Sequence, residues 1–314
     1  MAETGTDISF ARGLLQKGDL VAVPTETVYG LAGNALNVDT VARIFEVKNR
    51  PSFDPLIVHI YDYSQLSKYT MNIPAQAERL AKEFWPGPLT LLLKKRSIIP
   101  DLVTSGLDTV GIRCPKHAMT QNLLKTLDFP LAAPSANPFG FVSPTKAGHV
   151  TEQLGSKIKY VLDGGPCTIG IESTIVGFEN NKTVVHRLGG ISVEQIESVV
   201  GDVELTTSPG VLKAPGQLKS HYSPAKKMFV ADIERAIEMV DLQRVALLSF
   251  QKDHKATHQV ILSPTGDLTE AAKNLFDALR RLDKMPVDLI IAEFVPDEGI
   301  GRAINDRLRR ASAK

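Results

Sequence analysis

Apolar residues along this chain come in short blocks whose spacing switches repeatedly between the helical and the strand period. Ile8 to Lys17 has amphipathic helical spacing that stops at Gly18, and Leu20 to Val23 then reads as a strand cut off by Pro24. Val38 to Val47, Ala75 to Phe84, His117 to Leu127 and Thr145 to Leu154 also read as helices. Leu56 to Ile60, Thr90 to Leu93, Val110 to Ile112, Leu131 to Ala133, Tyr160 to Leu162, Thr174 to Phe178 and Val184 to Arg187 read as strands. Strict βαβ alternation does not supply so many neighbouring strands. The pattern therefore predicts an α/β domain built on a twisted mixed sheet with flanking helices.

That pattern breaks at residues 206–224, TTSPGVLKAPGQLKSHYSP, where three Pro and two Gly interrupt a stretch with no period. Fully extended, the segment reaches about 60 Å, so it can lie across the first domain as readily as tether a second. Leu212, Leu218 and Tyr222 are anchors that a plain tether does not need. Beyond it, Met228 to Val230, Val245 to Leu248, Val260 to Leu262 and Leu289 to Ala292 read as strands. Ile233 to Val240, Leu268 to Leu282 and Ile300 to Arg309 read as helices. This is the pattern of a small Rossmann-like α/β layer domain. The expected division is residues 1–205, a connecting segment 206–224, and residues 225–314.

Length agrees with two domains, since 314 residues exceed what one core usually organises. Two cysteines, Cys114 and Cys167, are too few for a disulfide framework and point to a reducing compartment. No run approaches the roughly 18 apolar residues of a membrane helix, and Met1 to Phe10 lacks the basic start of a secretory signal. A cytoplasmic protein without membrane attachment is the expectation. The formal charge of +1 disfavours a protein whose main work is strong direct nucleic-acid binding. Residues 1–205 carry 19 basic and 21 acidic side chains, so an anion site there must be made by local placement.

Familiar nucleotide and hydrolase fingerprints are missing: there is no GxxxxGK[ST], no GxGxxG after a strand, no GxSxG and no metal-spaced histidine pair. What remains is polar residues at predicted strand ends, where α/β sheets hold ligands. Pro24-Thr25-Glu26-Thr27-Val28-Tyr29-Gly30 follows the first strand and reads equally as a capped turn or a polar ligand loop. Lys48 and Arg50 end a helix, where cations are also ordinary dipole partners, and His59 closes an apolar strand. Arg113 follows an apolar strand and so should emerge at its C-terminal edge. Ser135, Asn137 and Ser143-Pro144-Thr145 follow the next strand, the last two groups with good turn and cap readings. Ser135 has no adjacent base to make it a nucleophile, and Cys167 reads as a small buried thiol. Jointly, Lys48, Arg50, Arg113 and Arg187 are cations at element ends in a net acidic domain. Arginine's planar fork suits carboxylates and phosphates. An anion pocket ringed by hydroxyls is the resulting expectation.

The motifs PTETVYGL, KNRP followed by PLIVHI, WPGPLTLLL, TVGIRCP, APSAN, SPT, IESTIV, HRLG and APGQLKSHYSP occur in this order. In that combination the chain resembles the two-domain threonylcarbamoyl-AMP synthase family, a YrdC-like catalytic domain followed by a smaller Sua-type domain. The resemblance covers about residues 8–224; the last ninety residues match mainly by length and strand–helix pattern. It implies a nucleotidyltransferase that makes threonylcarbamoyl-AMP and pyrophosphate from L-threonine, bicarbonate or CO2, and ATP with Mg2+. A downstream transferase complex would use the product to modify tRNA next to the anticodon. By the same resemblance Thr27, His59, Arg113, Ala133 and Ser173 stand at threonine positions. Arg50, Asp54, Thr109, Ser135, Asn137, Ser143 and Arg187 stand at ATP positions, and Lys48 belongs to a KxR motif beside the phosphates. Lys48, Arg50 and Arg113 would act in catalysis, and His221 and Tyr222 would fold over the nucleotide as a lid. Asp54 departs from the family's usual Asn or Ser, and an acid there must either meet the metal or turn away. The rival reading is an RNA-binding regulatory module of YrdC type without ATP turnover.

Overall fold

The structure is a computed structural model describing residues 1–206, 215–216 and 221–313. Most of the expected connecting segment, residues 207–214 and 217–220, including Leu212 and Leu218, lies outside the described residues.

Eleven strands form one mixed sheet in the spatial order Glu3–Gly5, Tyr160–Leu162, Val21–Val23, Gly30–Asn34, Leu131–Ala132, Ile57–His59, Thr109–Arg113, Leu89–Lys94, Thr174–Glu179, Lys182–Arg187, Val203–Leu205. Its central strands run in both directions: Ile57–His59 is parallel to Thr109–Arg113 but antiparallel to Leu131–Ala132. The expected mixed sheet is therefore present. Its register decides the site. His59 pairs with Leu131 on one side and Arg113 on the other, Arg113 pairs with Thr90, and Thr90 with Ile175. On the last step the register shifts between Val185 and Arg187, so that Arg187 rather than His186 stands opposite Ile175. Opposed residues share a face of a sheet. The bulge thus turns Arg187 onto the face that also carries His59 and Arg113. Next to this row on the same face, Ile57 and Leu92 pack with Ile175 as a small apolar strip.

Four parallel strands make the second sheet, in the order Lys227–Val230, Leu289–Ala292, Val245–Ser249, Gln259–Ile261. Its long helix Leu268–Asp283 is started by Asp267, whose carboxylate accepts the Thr269 and Glu270 N–H groups. The helix buries Ala271, Ala272, Leu275, Phe276 and Leu279. The same apolar cluster includes Val28, Val142, Ile171 and Tyr222. The two expected domains therefore share a core across their boundary. Ion pairs rim it: Lys146 and His149 meet Asp277 at 2.6 and 3.2 Å, Lys284 meets Glu152 at 2.8 Å, and Arg302 meets Glu194 at 2.9 Å.

Strands at Glu3–Gly5, Gly30–Asn34 and Val203–Leu205, and a helix at Val193–Val200, were not legible in the pattern. Gly30–Asn34 is GLAGN, a poor strand sequence that is held extended by neighbours on both sides. The helix expected over Ile233 to Val240 covers only Ile233–Ala236, and Met239 is exposed. No helix among the described residues is long and apolar enough to cross a membrane.

The domains dock tightly at Gly170, which has φ +81° and where an added Cβ would lie 2.5 Å from the backbone of Lys273. Gly170→Ala combines a left-handed backbone, costing about 1–2 kcal/mol, with a backbone clash. It is expected to lower the melting temperature by several degrees, roughly 2–4 °C per kcal/mol at this size. Gly13→Ala, within the Ile8–Gln16 helix and with nothing within 4 Å of the new methyl, should instead stabilise by about 0.5–1 kcal/mol. Thermal unfolding of both variants checks the opposite signs.

Candidate active site

On the face defined by that row lies a pocket lined by Arg50, His59, Arg113, Arg187, Glu172, Ser135, Ser173, Ala133, Pro134, Val28, Pro55 and Ile57. Pro215, Gly216, His221 and Tyr222 complete it from the connecting segment. Three arginines from three separate elements converge here, as the charge placement predicted.

Each is held differently. The Val38–Lys48 helix ends at Asn49 in the left-handed conformation, φ 51°, which reverses the chain and turns Arg50 inward. Arg50 Nε and Nη2 donate to the carbonyls of Asp54 and Pro55 at 3.0 and 2.8 Å, and Nη2 lies 2.9 Å from the Asp54 carboxylate. Asp54 therefore turns to Arg50 and does not line the pocket. Arg113 Nη2 stands 2.8 Å from Glu26 Oε1, while its buried Nε has no hydrogen-bond partner among the described residues. Glu26 is oriented in turn by the Lys116 N–H at 3.0 Å. Arg187 donates Nε and Nη2 to the Ser173 carbonyl at 3.0 and 2.9 Å, and Nη2 also to Ser173 Oγ. Its Nη1 reaches the Pro215 carbonyl at 3.2 Å. Burial pushes the Arg187 pKa down to about 10, against the pull of Tyr222 and Glu172. It stays cationic at neutral pH.

His59 is buried and its Nδ1 lies 3.3 Å from the Ile57 carbonyl. Burial first, and the neighbouring Arg113 second, push its pKa down from 6.5 to about 3. It is a neutral imidazole beside a cation. Ser173 Oγ also shares a hydrogen bond of 2.8 Å with Thr90 Oγ1, which fixes the hydroxyl wall.

Other expected site residues lie one step behind the wall. Lys48, 1% exposed, donates Nζ to the carbonyls of Ser135 and Asn137, and so fastens the loop that presents Ser135. Burial, with Arg50 beside it, holds its pKa well below the usual lysine value. Asn137 Nδ2 donates to the carbonyls of Pro138 and Phe141 and shapes the same loop. Thr27 is wholly buried and shares a hydrogen bond of 2.9 Å with Thr25. Ser143 donates to Glu172 Oε1 at 2.6 Å. Thr109 lines a neighbouring cavity that touches the pocket only through Pro55 and Pro215. None of these six, Lys48, Asp54, Asn137, Thr27, Ser143 or Thr109, lines the pocket.

Tyr222 has φ +63° and its ring stacks on Phe276 at 5.5 Å, with the Arg307 guanidinium 5.0 Å from the ring centroid. Burial raises its pKa to about 12. His221 packs edge-on against Tyr222 and Phe139. Glu26 stands in the sequence only within the candidate ligand loop, with no role of its own, and Glu172 and Arg307 are not among the expected site members. Arg307 left a signal: with Ala303, Ile304, Leu308 and Ala311 it shares the buried stripe of the Gly301–Ala311 helix.

Comparison with known proteins fits this geometry. The domain family described as "Telomere recombination", covering Sua5, YciO and YrdC, matches residues 13–189, and the family described as the threonylcarbamoyl-AMP synthase C-terminal domain matches residues 191–313. A threonylcarbamoyl-AMP synthase of Pyrococcus abyssi is 42% identical over 97% of this chain and 94% of its own length. One of Bacillus subtilis is 41% identical over 97% and 92%. The crystal structure of P. abyssi Sua5 complexed with L-threonine superimposes with a TM-score of 0.93 at 40% identity, covering 99% of this chain and 97% of that one.

His59's folded pKa lies below its unfolded value, so between pH 6.5 and about 3 the unfolded chain holds a proton that the folded chain does not. Stability must fall as pH drops through that window, by up to about 1.4 kcal/mol per pH unit. His59→Gln should show a shallower loss from pH 6.5 to 4 in denaturant titrations; parallel curves would contradict the neutral imidazole.

Proposed function

Because the chain belongs to the two-domain Sua5/YrdC family of threonylcarbamoyl-AMP synthases, we propose that this enzyme joins L-threonine, bicarbonate or CO2, and ATP into threonylcarbamoyl-AMP, releasing pyrophosphate. The observation that carries the reading is the convergence of Arg50, Arg113 and Arg187 on one pocket with the hydroxyls of Ser135 and Ser173.

The threonine carboxylate, bicarbonate and the triphosphate are all anionic at neutral pH, and they repel one another unless cations offset them. Arg113 takes the threonine carboxylate through its guanidinium, whose Nε has no hydrogen-bond partner among the described residues, while Glu26 stands beside Nη2. Neutral His59 beside it, with Ala133 and Ser173, bounds the amino-acid side chain. Arg50 and Arg187 face the triphosphate, and Lys48 keeps the Ser135 loop in place from behind. The threonine amine forms a carbamate: with bicarbonate a water leaves, with CO2 a proton. A carbamate oxygen then attacks the α-phosphorus, the bond to the bridging oxygen of the β-phosphate breaks, and pyrophosphate departs with the electron pair. Such a step needs positioning and charge neutralisation and no covalent enzyme intermediate.

Magnesium enters on the triphosphate in this reading. Among the described residues no three His, Cys, Asp or Glu side chains come together to hold an ion, and Asp54 is committed to Arg50. Tyr222, His221 and the Pro215–Gly216 turn cover the pocket as a lid. Transfer of the product to tRNA would fall to a separate transferase, in keeping with a chain of net charge +1.

Incubation with ATP, bicarbonate and labelled threonine should yield pyrophosphate and a labelled adenylate only when all three are present; ATP consumption without threonine would overturn the reading. Arg113→Ala should raise the threonine KM by roughly thirtyfold or more, as expected for a lost charge-assisted pair, with a smaller change in the ATP KM.

A further inference from the structure

The Gly301–Ala311 helix belongs to the second domain, yet one of its side chains reaches the wall of the first domain's pocket. Arg307 is 0% exposed, and its Nε lies 3.0 Å from Glu172 Oε2. Nη2 donates to the Leu188 carbonyl at 2.9 Å, Nη1 pairs with Asp306 at 2.8 Å, and the guanidinium faces the Tyr222 ring. Glu172 and Tyr222 both line the pocket; Arg307 does not.

Two arginines thus grip the same two segments side by side. Arg187 is bonded to Ser173, and Arg307 to Glu172 and to Leu188, the residues adjacent to Ser173 and Arg187. Glu172 is an acid in a pocket that must accept a polyanion, and it adjoins Ser173, to which the pocket cation Arg187 is bonded. A carboxylate with no other cation would take Arg187 and leave it less available to a phosphate.

Resting on the reading of the pocket as the ATP and threonine site, we propose that Arg307 is a positioning residue for nucleotide binding. By satisfying Glu172 it keeps Arg187 available for phosphate, and by facing Tyr222 it holds the covering ring in place. The second domain then supplies a charge that the catalytic domain's pocket requires, rather than acting as a passive appendage. A docking role alone would weaken threonine and ATP binding together when Arg307 is lost. The positioning role weakens ATP binding selectively, and through the charge on Glu172.

The full chain is compared as wild type, Arg307→Met, Glu172→Gln and the double variant, by threonine-dependent pyrophosphate release and by equilibrium binding of ATP. Arg307→Met should raise the ATP KM and Kd about tenfold or more, as removing one partner of a buried charge pair does, with the threonine KM within about threefold. Glu172→Gln added to it should return the ATP constants most of the way to wild type, a coupling that a double-mutant cycle isolates. An ATP constant within about twofold of wild type in folded Arg307→Met, or a double variant no better than the single, would overturn the proposal. If circular dichroism shows Arg307→Met unfolded, Arg307→Lys with and without Glu172→Gln gives the same comparison: the shorter cation cannot hold Glu172, Leu188 and Tyr222 together. Its loss should be smaller and again relieved by Glu172→Gln, and no relief overturns the proposal. A wild type that binds ATP without threonine-dependent turnover would refute the reaction assigned to the pocket while leaving the binding coupling measurable.

Discussion

Everything at this site depends on one line of strand register. Leu131, His59, Arg113, Thr90, Ile175 and Arg187 form a transverse row across six strands. Because strand side chains alternate with a period of two, a slip by one residue anywhere along the row would send a cation to the opposite face. The row reaches Arg187 only through the shift between Val185 and Arg187, which skips His186. Ile57 and Leu92, packed with Ile175 of the row itself, hold the register from the adjoining positions on the same face. Hydrophobic packing two residues away thus determines where the charges emerge.

Gathering guanidinium groups in a buried pocket is costly, since each loses solvent and each repels the others. The structure offsets the cost with backbone carbonyls for some and carboxylates for others. Arg187 rests on the Ser173 carbonyl and Lys48 on those of Ser135 and Asn137, while Arg50 adds the Asp54 carboxylate to the carbonyls of Asp54 and Pro55, and Arg113 uses Glu26. Carbonyl partners satisfy donors without cancelling charge. A cation held that way keeps its field for a ligand, whereas one held by a carboxylate is partly neutralised. This distinction separates Arg187 from Arg50, and it explains why an acid at position 54 is compatible with an anion site: Asp54 lies against the guanidinium from behind.

The sequence made much of this legible. Helices and strands with clean apolar spacing, such as Ala75–Phe84 and Leu89–Lys94, came out close to their observed ends, and three of the four cations at element ends line one pocket, with Lys48 behind it. What stayed hidden depends on tertiary pairing. Gly30–Asn34 has no strand signal of its own, and the bulge at His186 has none either. Lys48 illustrates a subtler limit. A lysine at a helix end beside an arginine reads as a ligand for phosphate, yet folding turns Nζ onto two carbonyls of a loop that lies far along the chain. Residue type and position named the neighbourhood correctly, while the contact was decided by which acceptor came within reach.

Arg307 shows the same limit from the other side. A charged residue on the apolar stripe of a helix violates the pattern that predicts the helix, and such violations are tolerated only where every donor finds a partner. Here the partners are Glu172, Leu188 and Asp306, plus the face of Tyr222. Three of those four lie outside the Gly301–Ala311 helix, so the helix can bury its arginine only when the second domain is docked. Docking and pocket assembly are consequently one event: the apolar cluster that unites Ile171, Tyr222 and Phe276 carries the hydrophobic gain, and the Arg307–Glu172 pair fixes the orientation in which that gain is realised.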